Sequence, residues 1–232
     1  MTDDITVIIS AYNEEKNLKE AVADVTSALK KVTRDFKIII VDDGSTDHTF
    51  KVASEIAKKN KSISIIRNKK NIGLGRSFKK AILSVKTAYL TVFPGDNDMS
   101  ASSLIPLLRK RGKADLITAY MRTDKDRTLT RRICSHSYVA LINFLFGLSL
   151  RYYNGPFVAK TKKVAAIDIS STGLDVYAET KVRMLKKGYT YKEIPFDHTG
   201  RRHGQSTAVT AKSIFQTVRN TISLFLNLAS TS

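Results

Sequence analysis

Phe36-Lys37-Ile38-Ile39-Ile40-Val41-Asp42-Asp43-Gly44-Ser45-Thr46-Asp47 decides the fold class of this chain. A continuous apolar run rich in β-branched residues ends abruptly in two acids and a Gly-Ser turn, the pattern of a buried strand. Asp47 or Thr46 is placed to cap a helix over His48 to Lys59. The same pattern recurs on both sides. Ile5-Thr6-Val7-Ile8-Ile9-Ser10 breaks into Ala11-Tyr12-Asn13-Glu14-Glu15, and Asn17 to Lys31 then places Leu18, Ala21, Val22, Val25, Ala28 and Leu29 on one helical stripe. Ala88-Tyr89-Leu90-Thr91-Val92-Phe93 breaks into Pro94-Gly95-Asp96-Asn97-Asp98. Strands alternating with helices predict a parallel sheet, whose ligands bind beyond the carboxyl ends of the strands. Capping chemistry accounts for any one of these turns; their convergence on one edge predicts a site.

Asp96-Asn97-Asp98 carries the most specific chemistry. Alternate residues of a strand face the same way, so its mouth can aim both carboxylates at one point. Like charges held that close repel unless a cation lies between them. Hard oxygen ligands suit Mg²⁺ or Mn²⁺, ions that complete their shells with water and substrate phosphates. Taken alone, the bland reading is an acidic loop between a strand and a helix.

Composition narrows the partners. The 232 residues suit one domain, and 42% hydrophobic content supports a sizeable core. A single cysteine, Cys134, excludes an internal disulfide and fits a reducing compartment. The first strand begins almost at once, so no signal peptide is expected, and no apolar stretch is long enough to span a bilayer. Lys and Arg number 39 against 21 Asp and Glu, a net charge of +18 that predicts polyanionic partners. No nucleic-acid motif accompanies it, which leaves anionic lipid and phosphorylated substrates ahead of nucleic acid. Part of the excess is a solvated helix face.

Ser62 to Ile66 reads as a short strand, and Asn71-Ile72-Gly73-Leu74-Gly75-Arg76-Ser77 opens a helix reaching about Val85. Gly-x-Gly at a helix start is a place where backbone amides can approach a phosphate. Without a third glycine, and away from the first strand, it argues against a dinucleotide-binding dehydrogenase. Ala101 to Arg111 reads as a helix and Asp115 to Tyr120 as a strand. Arg122 to Arg132 is basic and aperiodic, a loop expected to be mobile and to serve as a lid over an anionic ligand. Tyr138 to Leu150 is apolar nearly all round: a buried helix or one lying in a membrane interface. Ala211 to Ala229 is an amphipathic helix that packs on the domain or docks on a bilayer or partner.

These motifs, in this order, resemble the family-2 inverting glycosyltransferases of GT-A fold, nearest the polyprenyl-phosphate branch. The resemblance rests on Ser10-Ala11-Tyr12-Asn13-Glu14, Val41 to Asp47, Asn71 to Gly75 and Asp96-Asn97-Asp98, then Glu179, Gly188 to Pro195 and Arg201-Arg202-His203-Gly204-Gln205-Ser206. Ala11 stands where relatives have proline, Asn97 where they have alanine, and Tyr152 to Phe157 where many have an Asp-containing turn. The resemblance implies an α/β fold with a mixed, mainly parallel sheet: a GT-A domain over 1–210, with a nucleotide-sugar half (1–98), an acceptor half (99–210) and a C-terminal amphipathic helix over 211–232. It implies nucleotide binding by Ala11, Tyr12, Asn13, Glu14, Asp42, Asp43, Ser45, Asn71, Gly73 and Asp96, with Asp43 accepting hydrogen bonds from base or ribose. It implies Mg²⁺ or Mn²⁺ on Asp96, Asp98 and Ser100, bridging the diphosphate of a UDP- or GDP-linked sugar.

The acceptor decides the rest. A hydroxyl acceptor needs a general base such as Glu179 or Asp175. A polyprenyl phosphate is already an anionic nucleophile and needs cations; Arg122, Arg131, Arg201 and Arg202 are the expected set, with Arg132 beside them. The resulting expectation is a metal-dependent transferase with Asp96, Asp98 and Glu179 in catalytic roles, peripheral at the cytoplasmic face of a membrane. Transfer to a glycan or glycolipid hydroxyl, and a non-catalytic polyanion- or membrane-binding domain on the same scaffold, remain open alternatives.

Overall fold

The computed structural model describes residues 5–97, 99–124, 128–196 and 211–230. β1 (Ile5–Ala11), α1 (Leu18–Lys30), β2 (Phe36–Asp42), α2 (Thr49–Lys59), β3 (Ile63–Arg67), α3 (Leu74–Ile82) and β4 (Tyr89–Pro94) alternate as expected. A 3₁₀ turn at Ala101–Ser103 leads into α4 (Leu104–Arg109), followed by β5 (Leu116–Met121), α5 (Leu129–Phe146), β6 (Phe157–Lys160), α6 (Thr161–Ala165), α7 (Val176–Lys186), β7 (Tyr191–Phe196) and α8 (Ala211–Ala229). The strands form one sheet in the order β3-β2-β1-β4-β6-β5-β7. β6 runs antiparallel to β4 and β5, so all the other strands point the same way. The carboxyl ends of β1, β2, β4 and β5 therefore lie along one edge.

Both faces of the sheet are covered, which is why its strands read as continuous apolar runs. Ile5, Val7, Ile9, Ile38 and Ile40 pack under Leu18, Val22, Val25 and Leu29 of α1. Ile8, Ile39 and Val41 point the other way, onto Phe78 and Ala81 of α3 and Val176 and Met184 of α7. A third cluster joins Ile142 and Phe146 of α5 to Ala178 and Val182 of α7 and Leu224 of α8.

Two segments differ from expectation. The helix expected over Ala101 to Arg111 is a 3₁₀ turn plus the short α4, with Pro106 in the first turn, where its missing N–H costs no helical bond. The basic loop expected to Arg132 ends earlier. Thr128 Oγ1 accepts the Arg131 N–H at 3.4 Å and caps α5, so Arg131 and Arg132 belong to a helix. That helix stops at Gly147, whose φ of 62° is left-handed.

Candidate active site

Backbone bonds continue past the strand ends and set the loops at the edge. Asp43 N donates to Ala11 O, Gly95 N to Ser10 O and Asn68 N to Asp42 O, each at 2.9 Å. A Cβ on Gly95 would come within 2.7 Å of Ser10 O, so only glycine lets β4 turn this close to β1. The turns after β1 and β2 are then laced together. Asn13, at φ 56°, accepts from Thr46 N at 2.9 Å and donates its own N–H to Ser45 Oγ at 3.0 Å. Glu14 N donates to Thr49 Oγ1 at 2.7 Å. Glu15 accepts from the backbone and the ring of His48, both at 2.9 Å, and these bonds hold its carboxyl below the ordinary value. Tyr12 stands at the edge with 44% of its surface exposed.

Asp43 also anchors the neighbouring turn. Buried, it accepts at Oδ1 from Asn68 Nδ2 (2.9 Å), Ser77 Oγ (2.8 Å) and Ile72 N (3.0 Å), and at Oδ2 from Gly73 N (2.9 Å). A carboxylate offers about four lone-pair sites, so only Oδ2 retains acceptor capacity. Asp43 thus shapes the 68–77 turn first. Asp42 is wholly buried, accepts from Ser45 N at 3.0 Å and pairs with Arg67 Nε at 3.4 Å.

The Gly-x-Gly turn is closed to a phosphate. Asn71 Oδ1 accepts from Gly73 N at 3.1 Å, and Gly75 N donates to Thr172 O at 3.1 Å. A Cβ on Gly73, at φ 91°, would collide with Thr172 O, and one on Gly75 with Ser171 O. These glycines let the 171–172 backbone lie against the turn, so the amides expected to face a ligand face protein.

β4 ends at Pro94, and Asn97 is left-handed at φ 54°, so Asp96 lies in a turn beyond the strand. Asn97 turns inward: it is buried, and its Nδ2 donates to Asp24 Oδ2 on α1 at 3.1 Å. Asp96 is half-buried beside it, and Ser100, also half-buried, pairs Oγ to Oγ with Ser102 at 2.7 Å. Asp98 lies outside the described residues. Among the described residues no trio of His, Cys, Asp or Glu is assembled for a metal. The donors at this turn are all oxygens, the set that fits Mg²⁺ or Mn²⁺ and not a softer ion.

Glu179 sits in the first turn of α7, buried. Its carboxylate accepts from Ser170 N and Oγ (both 2.8 Å), Ser171 N (2.6 Å) and Arg183 Nε (2.6 Å). Oε1 takes three of these donors and Oε2 one, so only Oε2 retains acceptor capacity, and the carboxylate clamps the segment that covers Gly73 and Gly75. Arg122 leaves β5 at the same sheet edge, its N–H bonded to Phe196 O at 3.0 Å, whereas Arg131 is exposed on α5. Arg201 and Arg202 lie outside the described residues. Between α5, α7 and α8 is a cavity of about 250 Å³ with Ser170, Ser171, Asp175 and Glu179 on its polar wall. Asn220 Nδ2 reaches both oxygens of Asp175, at 3.2 and 3.4 Å.

One residue had no motif to announce it. Lys181 is wholly buried on α7, and its Nζ donates to Tyr153 O at 2.7 Å and Gly155 O at 2.9 Å. Burial pushes its pKa down to about 7.

The chain matches the model of glycosyl transferase family 2 over residues 6–167. It is 23% identical over 208 residues to the undecaprenyl-phosphate 4-deoxy-4-formamido-L-arabinose transferase of an Enterobacter species, covering 87% of this chain and 62% of that one. It is 32% identical over 111 residues to the cholesterol galactosyltransferase of Borreliella burgdorferi, covering 48% and 30%. Across the first curated relatives it matches, the chain spans 30% to 64% of their length. The fold is shared with glucosyl-3-phosphoglycerate synthase from Mycobacterium tuberculosis, crystallised with Mn²⁺, UDP-glucose and phosphoglyceric acid: TM-score 0.71 at 15% identity, over 96% of this chain and 80% of that one. With that fold and a family model spanning well over half its length, this protein belongs to glycosyl transferase family 2.

Proposed function

We propose that this protein is a metal-dependent inverting glycosyltransferase that moves a sugar from a nucleotide-diphosphate donor to a polyprenyl phosphate at a membrane surface, on its cytoplasmic face. The observation that carries the reading is the convergence of the turns after β1, β2 and β4 on one carboxyl edge of the sheet, with exposed Tyr12, half-buried Asp96 and buried Asp43 among them. Tyr12 offers a ring to the base, and Asp43 Oδ2 an acceptor to base or ribose. The remaining expected nucleotide contacts, Ala11, Asn13, Glu14, Asp42, Ser45, Asn71 and Gly73, act by holding these turns. Asp96, with Asp98 and Ser100, would hold Mg²⁺ or Mn²⁺, which when bound neutralises charge on the departing diphosphate.

A phosphate oxygen of the acceptor attacks the anomeric carbon from the face opposite the diphosphate, as the carbon–oxygen bond to the nucleotide breaks. The nucleophile is already ionised, so no base is needed, which agrees with a Glu179 carboxylate committed to four donors. Glu179 is therefore proposed as a positioning residue. Arg122 and Arg131, with Arg201 and Arg202, supply positive charge for the acceptor. One observation favours transfer to a hydroxyl instead: Asp175 lines the cavity, and among its neighbours it is Asn220 that bonds its oxygens.

Calorimetry with UDP and GDP, with and without Mn²⁺, tests the donor site. One nucleotide is expected to bind only with metal, and an Asp96→Asn/Asp98→Asn variant to lose that binding. Neither nucleotide binding to the folded wild type would overturn the transferase reading. With donor in hand, Asp175→Asn separates the acceptors, because it abolishes transfer to a hydroxyl and spares transfer to a lipid phosphate.

A further inference from the structure

α5 and α8 carry apolar side chains on two opposite faces. Their inward faces build the third core cluster, where the rings of Phe146 and Phe225 meet edge to face at 5.8 Å. Their outward faces are also apolar. Leu129, Ile133 and Phe144 stand in solvent along α5, and Phe215, Ile222 and Leu226 along α8, with Phe144 85% and Phe215 71% exposed. Steps of four, seven and eleven residues return to the same side of an α-helix, so each trio forms one stripe. Core packing explains the inward faces and leaves the outward ones without a reason. Exposed apolar surface on neighbouring elements marks an interaction site more often than chance scatter.

Charge selects the occupant. Neither helix contains Asp or Glu: α5 carries Arg131 and Arg132, and α8 carries Lys212 and Arg219. Arg219 is exposed and falls within the apolar stripe of α8. A second copy would bring together two faces with no carboxylate between them, on a chain of net charge +18. An anionic lipid surface meets both requirements, taking aromatic and aliphatic side chains at the acyl boundary and guanidinium groups among its phosphates. Among the described residues no helix is long and apolar enough to cross a membrane, so contact would run along the helices.

We propose that the outward faces of α5 and α8 form a docking surface for an anionic lipid bilayer. The 250 Å³ cavity is walled by other faces of the same two helices and by α7, and its Ser170–Ser171 wall rests on the Gly73–Gly75 turn. Docking thus puts the cavity at the lipid boundary, within reach of an acceptor carried by a hydrocarbon chain. This deepens the lipid-phosphate reading above and rests on it for its purpose.

The chain has no tryptophan, so an introduced one is a clean reporter. Phe144→Trp and Phe215→Trp place it on the two stripes; Leu83→Trp places it on the exposed end of α3 as a control. Vesicles of phosphatidylcholine with phosphatidylglycerol should shift the emission of both stripe reporters to the blue and leave the control unchanged, with a weaker response to phosphatidylcholine alone. Replacing Ile133, Phe144, Phe215 and Leu226 by Ser should lower co-sedimentation with anionic vesicles by at least about tenfold. No shift, an equal shift in the control, or a shift without lipid that tracks self-association in ultracentrifugation would overturn the proposal. Lipid-free nucleotide calorimetry on the same variants keeps the two readings apart. Binding of nucleotide with loss of vesicle binding places the defect in docking; vesicle binding by a wild type that takes no nucleotide leaves docking standing and removes the transferase.

Discussion

The proposed donor edge and the proposed acceptor side of this molecule are built by different means. At the donor edge, the turns after β1 and β2 are tied by many modest bonds, most between exposed or half-buried groups: Asn13 with Ser45 and Thr46, Glu14 with buried Thr49, Glu15 with His48. On the acceptor side, two buried, multiply bonded groups on α7 do most of the holding. Glu179 grips Ser170 and Ser171, while Lys181 grips the carbonyls of Tyr153 and Gly155. Residues two apart on a helix point to nearly opposite sides, so α7 is a strut between the segment covering the donor turn and the 153–155 turn. A lattice of weak bonds tolerates the loss of any one member. A strut with two anchors does not.

The most severe way to break that contrast is Glu179→Ala. It strands the Arg183 guanidinium, 14% exposed beside a 4% exposed partner, together with the buried N–H of Ser171 and the part-buried N–H of Ser170. Loss of one member of such a pair costs about 3–5 kcal/mol, read as a fall in the denaturation midpoint. Glu179→Gln keeps an acceptor oxygen for the serines and should cost less. If Glu179→Ala cost under about 1 kcal/mol, the value of an exposed pair, α7 would not be a strut.

Asp43→Asn probes the donor edge where it most resembles the acceptor side. The amide replaces one acceptor with a donor among four existing donors, at a cost of about 1–3 kcal/mol. Because Asp43 shapes the turn that Ser171 and Thr172 cover, this change should also interact with Glu179→Ala. The double variant should cost less than the sum of the two, since each loosens the same contact. Strict additivity would mean that the two sides are independent. At exposed His48, by contrast, His48→Ala should move stability by less than about 0.5 kcal/mol.

Legibility followed the same division. β1, β2 and β4, and the helices after the first two, were readable because a strand buried on both faces writes a continuous apolar run into the sequence and a stop in polar residues. Gly73 and Gly75 were visible as glycines, but their reason was not. The carbonyls that exclude a Cβ belong to residues 171 and 172, about a hundred positions away, and no local pattern carries that contact. Asp96 and Asp98 were singled out by residue type alone, and nothing local announced that Asn97 between them would be drawn inward by Asp24. The start of α5 was missed because an arginine-rich first turn has no apolar period, though Thr128 at its cap was a signal in plain view. Lys181 was missed for a deeper reason. A lysine on a helix reads as a solvated charge, and only the fold shows that its amine is sealed under the 153–155 turn.

Lys181 also yields the subtlest test of the strut, through pH. Its amine titrates near 7 in the folded protein against 10.5 ordinarily, because burial disfavours the charged form. Between those values the unfolded chain holds a proton that the folded protein lacks. Stability from this group therefore rises with pH from about 7 towards 10.5, and is lost again as pH falls back through the folded value. The neutral amine keeps two N–H donors, which match the carbonyls of Tyr153 and Gly155, so deprotonation leaves both bonds intact. Lys181→Met fills the space, abandons both carbonyls and cannot titrate. Other groups titrate in this window, so the informative quantity is the difference in unfolding free energy between wild type and variant, measured by denaturant at each pH. That difference should widen steadily in favour of the wild type above pH 7. A flat difference would mean that the amine is hydrated and charged throughout, and α7 would then be anchored at Glu179 alone.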